Sequence, residues 1–379
     1  MVNRVTVLRM TAPRRWALVA LVAAVLVAAP LAWRLIPADE SDLDASALYA
    51  RVGESGDQPY TGYVETTGTL QLPVSDRFQS IGDLFGESTR LRVWWRDRNQ
   101  WRVSQLLTGG EAVLAHNSEV TTEYDYEEAT STTSYDPKIR LPRTSDLLPP
   151  EVARRLLGGD APGSLSRLPA RRVAGVSAAG LRVEGGAGRS SIGHVDLWVD
   201  PDTGLTLRAE VFARGATKPD FTSAFVEYSA EEPTGDEVTF RGSDGIERTF
   251  DDVLDIADAA NQFAPFLPPE TIAGLHRSVD TGGAVGVYGE GLTLVLAIPV
   301  RDREAEPLRE QIRGTPGSVD LPHGTAVSVG PLGVLLSGRT GRGGWLVSGT
   351  VTRDVLDRAA ADLLAGTITR DDTVFGGGD

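Results

Sequence analysis

Residues 194–212 read HVDLWVDPDTGLTLRAEVF, and the alternation of apolar side chains along this stretch decides the fold. Val195, Leu197 and Val199 alternate on one run, and Leu205, Leu207, Ala209 and Val211 on the next, with the period of two that a half-buried strand requires. Between them, Asp200-Pro201-Asp202-Thr203-Gly204 supplies turn chemistry: proline fixes φ, aspartate bonds the local backbone and glycine accepts a left-handed conformation. The reading is a β-hairpin. One face is apolar over its whole length and covers a core or a cavity, while the other carries His194, Asp196, Trp198, Arg208 and Glu210.

The segments before the hairpin repeat its pattern. Residues 60–72 are rich in Thr, Tyr and Val; residues 90–95 and 100–106 flank the turn Arg96-Asp97-Arg98-Asn99; shorter runs follow at 111–116 and 120–126. Together they predict an antiparallel meander. Val64, Leu91, Val93, Trp95, Trp101 and Val103 take the same apolar orientation as Val195, Leu197, Val199, Leu205, Leu207 and Val211. These residues are the candidate lining of a ligand cavity, and a packed core is the plainer account of each. Between Val74 and Thr89, the residues Phe78, Ile81, Leu84 and Phe85 recur at helix-like spacing but are interrupted by Gly82 and Gly86. That segment reads as a pinned surface loop or as a flap over a pocket. Short helices are expected at 41–52 and at 146–157, the second with proline at its start and Gly158-Gly159 at its end.

The chain has 379 residues and no cysteine. Its length exceeds what one core usually needs and suggests two folded domains. The missing cysteines exclude disulfides, thiol catalysis, thiolate metal sites and a lipid-modified N-terminal cysteine. Lys138 and Lys218 are the only lysines, and the Arg, Gly, Ala and Val bias points to a high-GC bacterial genome. Residues 16–33, WALVALVAAVLVAAPLAW, form an uncharged run of about 18 residues, roughly 27 Å as a helix, which is close to a bilayer core. Arg4, Arg9, Arg14 and Arg15 precede it, and Asp39, Glu40, Asp42 and Asp44 follow, so the positive-inside rule keeps the N-terminus cytoplasmic and exports the rest. A cleaved signal peptide is the alternative, but Pro30 occupies the cleavage window. The net charge is −15, and with five arginines in the first 38 residues the exported part is more acidic still. Such a surface repels nucleic acid and anionic headgroups.

The order of these elements, the segment RVAG…LRVEG at residues 172–185 and above all the VDLWVDPDTGLTLRAEVF hairpin resemble the LolA/LolB-like lipoprotein-carrier superfamily. Within it they are most similar to RseB/MucB-type proteins and their actinobacterial relatives. The resemblance covers residues 45 to about 233. It implies an α+β fold built on an unclosed antiparallel β-barrel, with helices across its mouth and an apolar cavity that holds acyl chains. Each CH₂ placed in such a cavity contributes roughly 0.8 kcal/mol, so tight binding needs no catalytic group.

Residues 245–369 read as a second, smaller α+β domain. Residues 250–264 and 269–278 have helical patterns, residues 286–300, 326–329, 333–337 and 345–350 read as strands, and residues 353–364 form an amphipathic helix. The strand-to-helix ending GWLVSGTVTRDVLDRAA is similar to the C-terminal module of RseB-like proteins, although the acidic 250–264 departs from the basic turns expected there. The expected organisation is a cytoplasmic basic segment 1–15, a transmembrane anchor 16–36, a tether 37–44, an open-barrel domain 45–240, the small domain 245–369 and a flexible tail 370–379.

Chemistry is sparse. His116, His194, His276 and His323 are scattered with no pair at metal-ligand spacing. Residues 338–344, GRTGRGG, lack the Gly-Lys-Ser/Thr ending of a phosphate loop, and Asp200-x-Asp202-x-Gly204 lacks the later glutamate of a calcium loop, which falls on Val211. No catalytic residue, metal or cofactor is assigned. The expectation is a single-pass membrane protein with its bulk outside the cytoplasm, non-enzymatic, binding lipids or lipoprotein acyl chains as a carrier or sensor. The alternatives are an RseB-like regulator that binds an anti-sigma factor or another membrane protein, and a structural subunit of an envelope or ABC-export complex. The partners expected are thus a lipid or acylated protein, an anti-sigma factor or an ABC transporter, and no nucleic acid.

Overall fold

A computed structural model describes residues 16, 20, 22, 23, 37–69, 88–126, 129–159, 163–186, 188–241, 246–251, 255–264, 266–279, 281, 283–338 and 344–369. Most of the expected anchor 16–36, the flap residues Phe78, Ile81, Leu84 and Phe85, and the tail 370–379 lie outside them. Among the described residues no helix is long and apolar enough to cross a membrane.

Twelve strands form the first sheet: β1 (Tyr60–Gly68), β2 (Ser88–Asp97), β3 (Gln100–Leu106), β4 (Glu111–Asn117), β5 (Val120–Asp125), β6 (Thr130–Tyr135), β7 (Ser164–Val173), β8 (Val176–Glu184), β9 (Ile192–Val199), β10 (Thr206–Ala213), β11 (Phe221–Ser229) and β12 (Glu247–Phe250). Their order is β12-β6-β5-β4-β3-β2-β1-β11-β10-β9-β8-β7. Every pairing is antiparallel except β12 with β6. Among the described residues the edges β12 and β7 do not pair, so the sheet is unclosed there, as expected from the sequence.

The decisive hairpin forms as read. Thr206 faces Val199, Ala209 faces Leu197 and Val211 faces Val195. In the turn, Asp202 N donates to Asp200 Oδ1 at 3.0 Å and Gly204 N to Asp200 O at 2.9 Å. Gly204 has φ +75°, and a Cβ there would sit 2.5 Å from Arg51 O, so both the backbone conformation and the neighbouring helix require glycine.

Two short helices cover the apolar face. In α1 (Ala45–Glu54), Asp44 caps the start by accepting from Ala47 N at 2.8 Å, and Leu48 and Val52 are buried. In α2 (Pro149–Leu157), two prolines open the helix and Val152 and Ala153 are buried. Twelve flat strands would span about 55 Å at the usual strand spacing, whereas these helices are each about 15 Å long. One core nevertheless joins both helices to β1–β4 and β7–β11, which requires the sheet to roll around them.

After α3 (Gly235–Val238), β12 returns to add to the first sheet beside β6. The helix expected at 250–264 is α4 (Ile256–Phe263), with Phe250 closing β12. A two-residue strand, β13 (Phe266–Leu267), follows. The helix expected at 269–278 is instead a hairpin, β14 (Thr271–Ile272) and β15 (Leu275–Val279). Ile272 and Leu275 mimic helical spacing, but Ala273 and Gly274 have φ +47° and +74°, the pair of left-handed residues that makes a tight hairpin turn.

The second sheet has the order β14-β15-β16-β17-β21-β20-β19-β18, with β16 (Gly286–Glu290), β17 (Thr293–Val300), β18 (Val319–Leu321), β19 (Gly324–Val329), β20 (Leu332–Ser337) and β21 (Gly344–Gly349). Helix α5 (Asp302–Gly314), unsuspected because Pro307 interrupts its interior, packs on one face through Ala305 and Ile312 against Val327 and Leu336. Helix α6 (Arg353–Gly366) packs on the other through Val355, Leu356, Ala359 and Leu363 against Ala326 and Leu335. The chain then ends its described course in β22 (Ile368–Thr369), which pairs with β13.

Candidate functional site

The hairpin's apolar face meets the apolar faces of β1–β3, as the alternation requires. Val64, Leu91, Val93, Trp95, Trp101, Val103, Val195, Leu197, Val199, Leu205, Leu207 and Val211 are all buried in one cluster with Leu48 and Val52 of α1 and Leu147, Leu148, Val152 and Ala153 around α2. Trp101, the most exposed of the wall residues, is only 7 % exposed. The cavity that borders Trp95 and Leu205 holds about 10 Å³, about the minimum that admits one water. In this structure the chain's own helices occupy the concave wall.

An aromatic row crosses one end of that wall. Tyr60 stacks on Trp95 at 5.7 Å, Trp95 on Trp101 at 5.6 Å and Trp101 on His116 at 5.4 Å, while Phe225 meets Tyr60 edge-on at 5.6 Å. The antiparallel register causes this: Tyr60 faces Trp95, Trp95 faces Trp101 and Trp101 faces His116 on successive strands. His116 Nδ1 lies 3.1 Å from Thr121 Oγ1, which donates to Asp136 Oδ1 at 2.6 Å. Burial holds the His116 pKa below its ordinary value, against the opposing field of Asp136.

Charges clamp α2 across the mouth. Asp146 accepts from Arg140 at 2.7 and 2.9 Å, from Arg155 at 2.5 Å and from the Arg143 backbone at 2.8 Å. Burial alone would raise its pKa, but these donors, Arg140 foremost, bring it below the ordinary carboxylate value. Glu151 pairs with Arg154 one helical turn away. The Tyr60 hydroxyl is buried without a partner among the described residues, and burial, reinforced by the charge of Glu151, pushes its pKa well up.

A larger opening lies where the two sheets meet. It holds about 190 Å³ and is lined on the side of the first sheet and its helices by Tyr49, Leu156, Leu157, Gly158, Val183, Gly186 and Arg189, and on the side of the second sheet by Leu275 and residues 289–293. The turn between β8 and β9 fixes this joint: Ser190 Oγ donates to Leu292 O at 2.6 Å, Ser191 N to Thr350 O at 3.1 Å and Thr352 N to Arg189 O at 2.9 Å. Leu156, Leu157, Leu275 and Leu292 offer apolar surface, the four glycines leave backbone groups accessible, and Arg189 and Glu290 supply one charge of each sign. The sequence reading missed this cleft, because its two halves come from segments at least 86 residues apart, and local periodicity does not bring them together.

The structure keeps the histidines apart. His194 stacks on Phe212 at 4.3 Å, His276 Nδ1 lies 3.2 Å from Thr271 Oγ1, and His323 Nδ1 lies 3.0 Å from Asp357 Oδ2. Among the described residues, no group of three or more His, Asp or Glu is arranged to hold a metal ion.

No family model and no curated protein matches this sequence. Among solved structures, the chain is similar to the MucA/MucB complex of Pseudomonas aeruginosa at 18 % identity, over 83 % of this chain and 96 % of that one, with a TM-score of 0.48. A structure of MucB in complex with MucA matches at 16 % identity over 86 % of this chain and 100 % of that one, TM-score 0.47. A LolA superfamily protein from Nitrosomonas europaea matches at 11 % identity over 52 % of this chain and 98 % of that one, TM-score 0.25. These are the two kinds of protein that the hairpin sequence resembles.

Proposed function

We propose that this chain is a non-catalytic binding protein, held at the outer side of the cytoplasmic membrane by residues 16–36, whose ligand is a polypeptide segment of another envelope protein. The cleft between the two sheets carries the reading. Its mixture of leucine side chains, open glycine backbone and single opposite charges matches the mixed chemistry of a peptide better than the uniform chemistry of an acyl chain. MucB, to which the chain is similar, is held with MucA in two of the solved complexes. For this chain the corresponding partner class is an anti-sigma factor or a similar membrane protein.

A photo-crosslinking residue placed at Leu156 or Leu292 in the full chain, in its native membrane, tests the proposal. The expected product is a covalent adduct with another envelope protein, identified by mass spectrometry and lost in a Leu157→Glu variant. Adducts with phospholipid alone would overturn it.

A lipid reading draws on the apolar wall, which is covered by α1, α2 and the Leu147–Leu148 turn before α2. Under that reading Val64, Leu91, Val93, Trp95, Trp101, Val103 and the six hairpin residues contact an acyl chain after both helices lift away. Organic extraction of the purified protein followed by mass spectrometry tests it, and a lipid-free extract would remove the carrier reading.

A further inference from the structure

The polar face of the first sheet carries two tryptophan clusters built on one plan. In the first, Trp198 lies opposite Arg208 across the β9/β10 pair. The guanidinium carbons of Arg171 and Arg208 stand 5.2 and 6.0 Å from its ring centroid. Glu210, two residues beyond Arg208, neutralises both cations, with contacts of 2.5 Å to Arg208 and 3.5 Å to Arg171. Asp196, two residues before Trp198 and opposite Glu210, is held by Arg182 through two bonds of 2.7 Å.

In the second, Trp94 lies opposite Arg102 across the β2/β3 pair. The guanidinium carbons of Arg92 and Arg102 stand 5.4 and 4.3 Å from its centroid. The position two beyond Arg102, where the first cluster has Glu210, is Ser104; the position two before Trp94, where the first has Asp196, is Arg92. Both acids of the plan are gone, and one has become a cation.

The missing charge leaves marks. Ser104 Oγ and Arg102 Nε are buried with no hydrogen-bond partner among the described residues, a costly arrangement for polar atoms. Among the described residues Arg102 donates one bond, of 3.4 Å, to Glu237 O. Burial lowers its pKa from the ordinary value; Glu111 opposes the shift and Arg92 adds to it, the signature of two cations crowded together. Arg92 is exposed and Trp94 half-buried, so the cluster opens to solvent in a protein of net charge −15.

We propose that Arg92, Trp94 and Arg102 form a carboxylate-binding subsite that receives an acidic side chain of the polypeptide partner, in the place that Glu210 fills internally in the first cluster. The assignment to a polypeptide rests on the function proposed above; the carboxylate chemistry rests on the comparison of the two clusters. Arg92 and the outer edge of Arg102 would grip the incoming group by charge-assisted hydrogen bonds.

Fluorescein-labelled hexaglutamate, titrated into the full-length protein in detergent at low salt, is the probe, with hexaglutamine as its uncharged control. Wild type is expected to bind hexaglutamate well above hexaglutamine, about fivefold more weakly as Arg92→Gln and at least about tenfold more weakly as Arg92→Glu. Arg171→Gln, in the cluster already neutralised, is expected to bind as wild type does. Arg92 is exposed, and an unchanged melting curve for its variants confirms that they fold. Equal binding by all variants, equal binding of the two peptides, or an equal loss in Arg171→Gln overturns the subsite. Loss in the Arg92 variants together with failed crosslinking from the cleft keeps the subsite and removes the polypeptide reading. The reverse result removes the subsite alone.

Discussion

The two sheets solve the same burial problem in opposite ways. The second has apolar side chains on both faces, with Leu335 under α6 and its neighbour Leu336 under α5, and so it is a three-layer unit. The first buries most of its apolar surface on one face and, apart from a patch of Val113, Tyr124, Phe240 and Ile246, meets water on the other with paired charges such as Arg182–Asp196 and Arg208–Glu210. The contrast shows where recognition is affordable. A sheet covered on both faces has no surface left to offer, whereas a one-sided sheet presents a broad polar face that can be varied without touching its core.

The strongest test of this contrast is Leu197→Glu. A carboxylate at this fully buried position, between Ala209 and Leu181 on the neighbouring strands, is expected to cost more than about 4 kcal/mol and to unfold the first sheet and its helices. A thermal melt with a normal transition but lost ligand binding would instead make the wall a cavity lining. Next come Leu335→Ala and Leu336→Ala, each expected to cost about 2–5 kcal/mol in chemical denaturation. A cost below about 1 kcal/mol for Leu336→Ala would show that α5 covers no true core and that the second sheet is one-sided too.

Gly204→Ala is expected to cost about 1–2 kcal/mol, since it forces a left-handed alanine against Arg51 O. The smallest effects are those of pH. The Asp146 pKa is lower in the folded state, so its contribution is present above about pH 4 and is lost as pH falls through the folded value. The stability of Asp146→Asn, measured from pH 6 to 2, should therefore lack part of the acid decline. The His116 pKa is also lowered, so the unfolded chain takes up a proton first, and stability falls as pH drops below about 6.5. A His116→Gln variant should flatten that step, and an unchanged slope would remove His116 as its source.

The legible parts of the sequence were those governed by short-range periodicity. The hairpin, the meander through Trp95 and Trp101 and the last amphipathic helix needed only alternation and turn residues. Polar strands were hidden: β6 reads TSTTSY and has no apolar face to betray it. Pro307 concealed α5, and Ile272 with Leu275 imitated a helix where Ala273-Gly274 made a turn. The joint cleft and the two tryptophan clusters depend on pairings between distant segments. Once register is known, however, the Trp-to-Arg spacing across two hairpins is visible in the sequence itself, as Trp94 with Arg102 and Trp198 with Arg208.

The parallel pairing of β12 with β6 has a consequence for biosynthesis. A chain that leaves the ribosome or crosses a membrane N-terminus first will assemble β1–β11 while the outer hydrogen-bonding edge of β6 is bare, and bare edges recruit other strands. That edge is capped only when residues 247–250 emerge. Truncation anywhere between Ser229 and Glu247 thus leaves every other strand of the first sheet intact yet yields a sticky protein, so the yield of soluble product should depend on a four-residue strand that contributes almost nothing to the core.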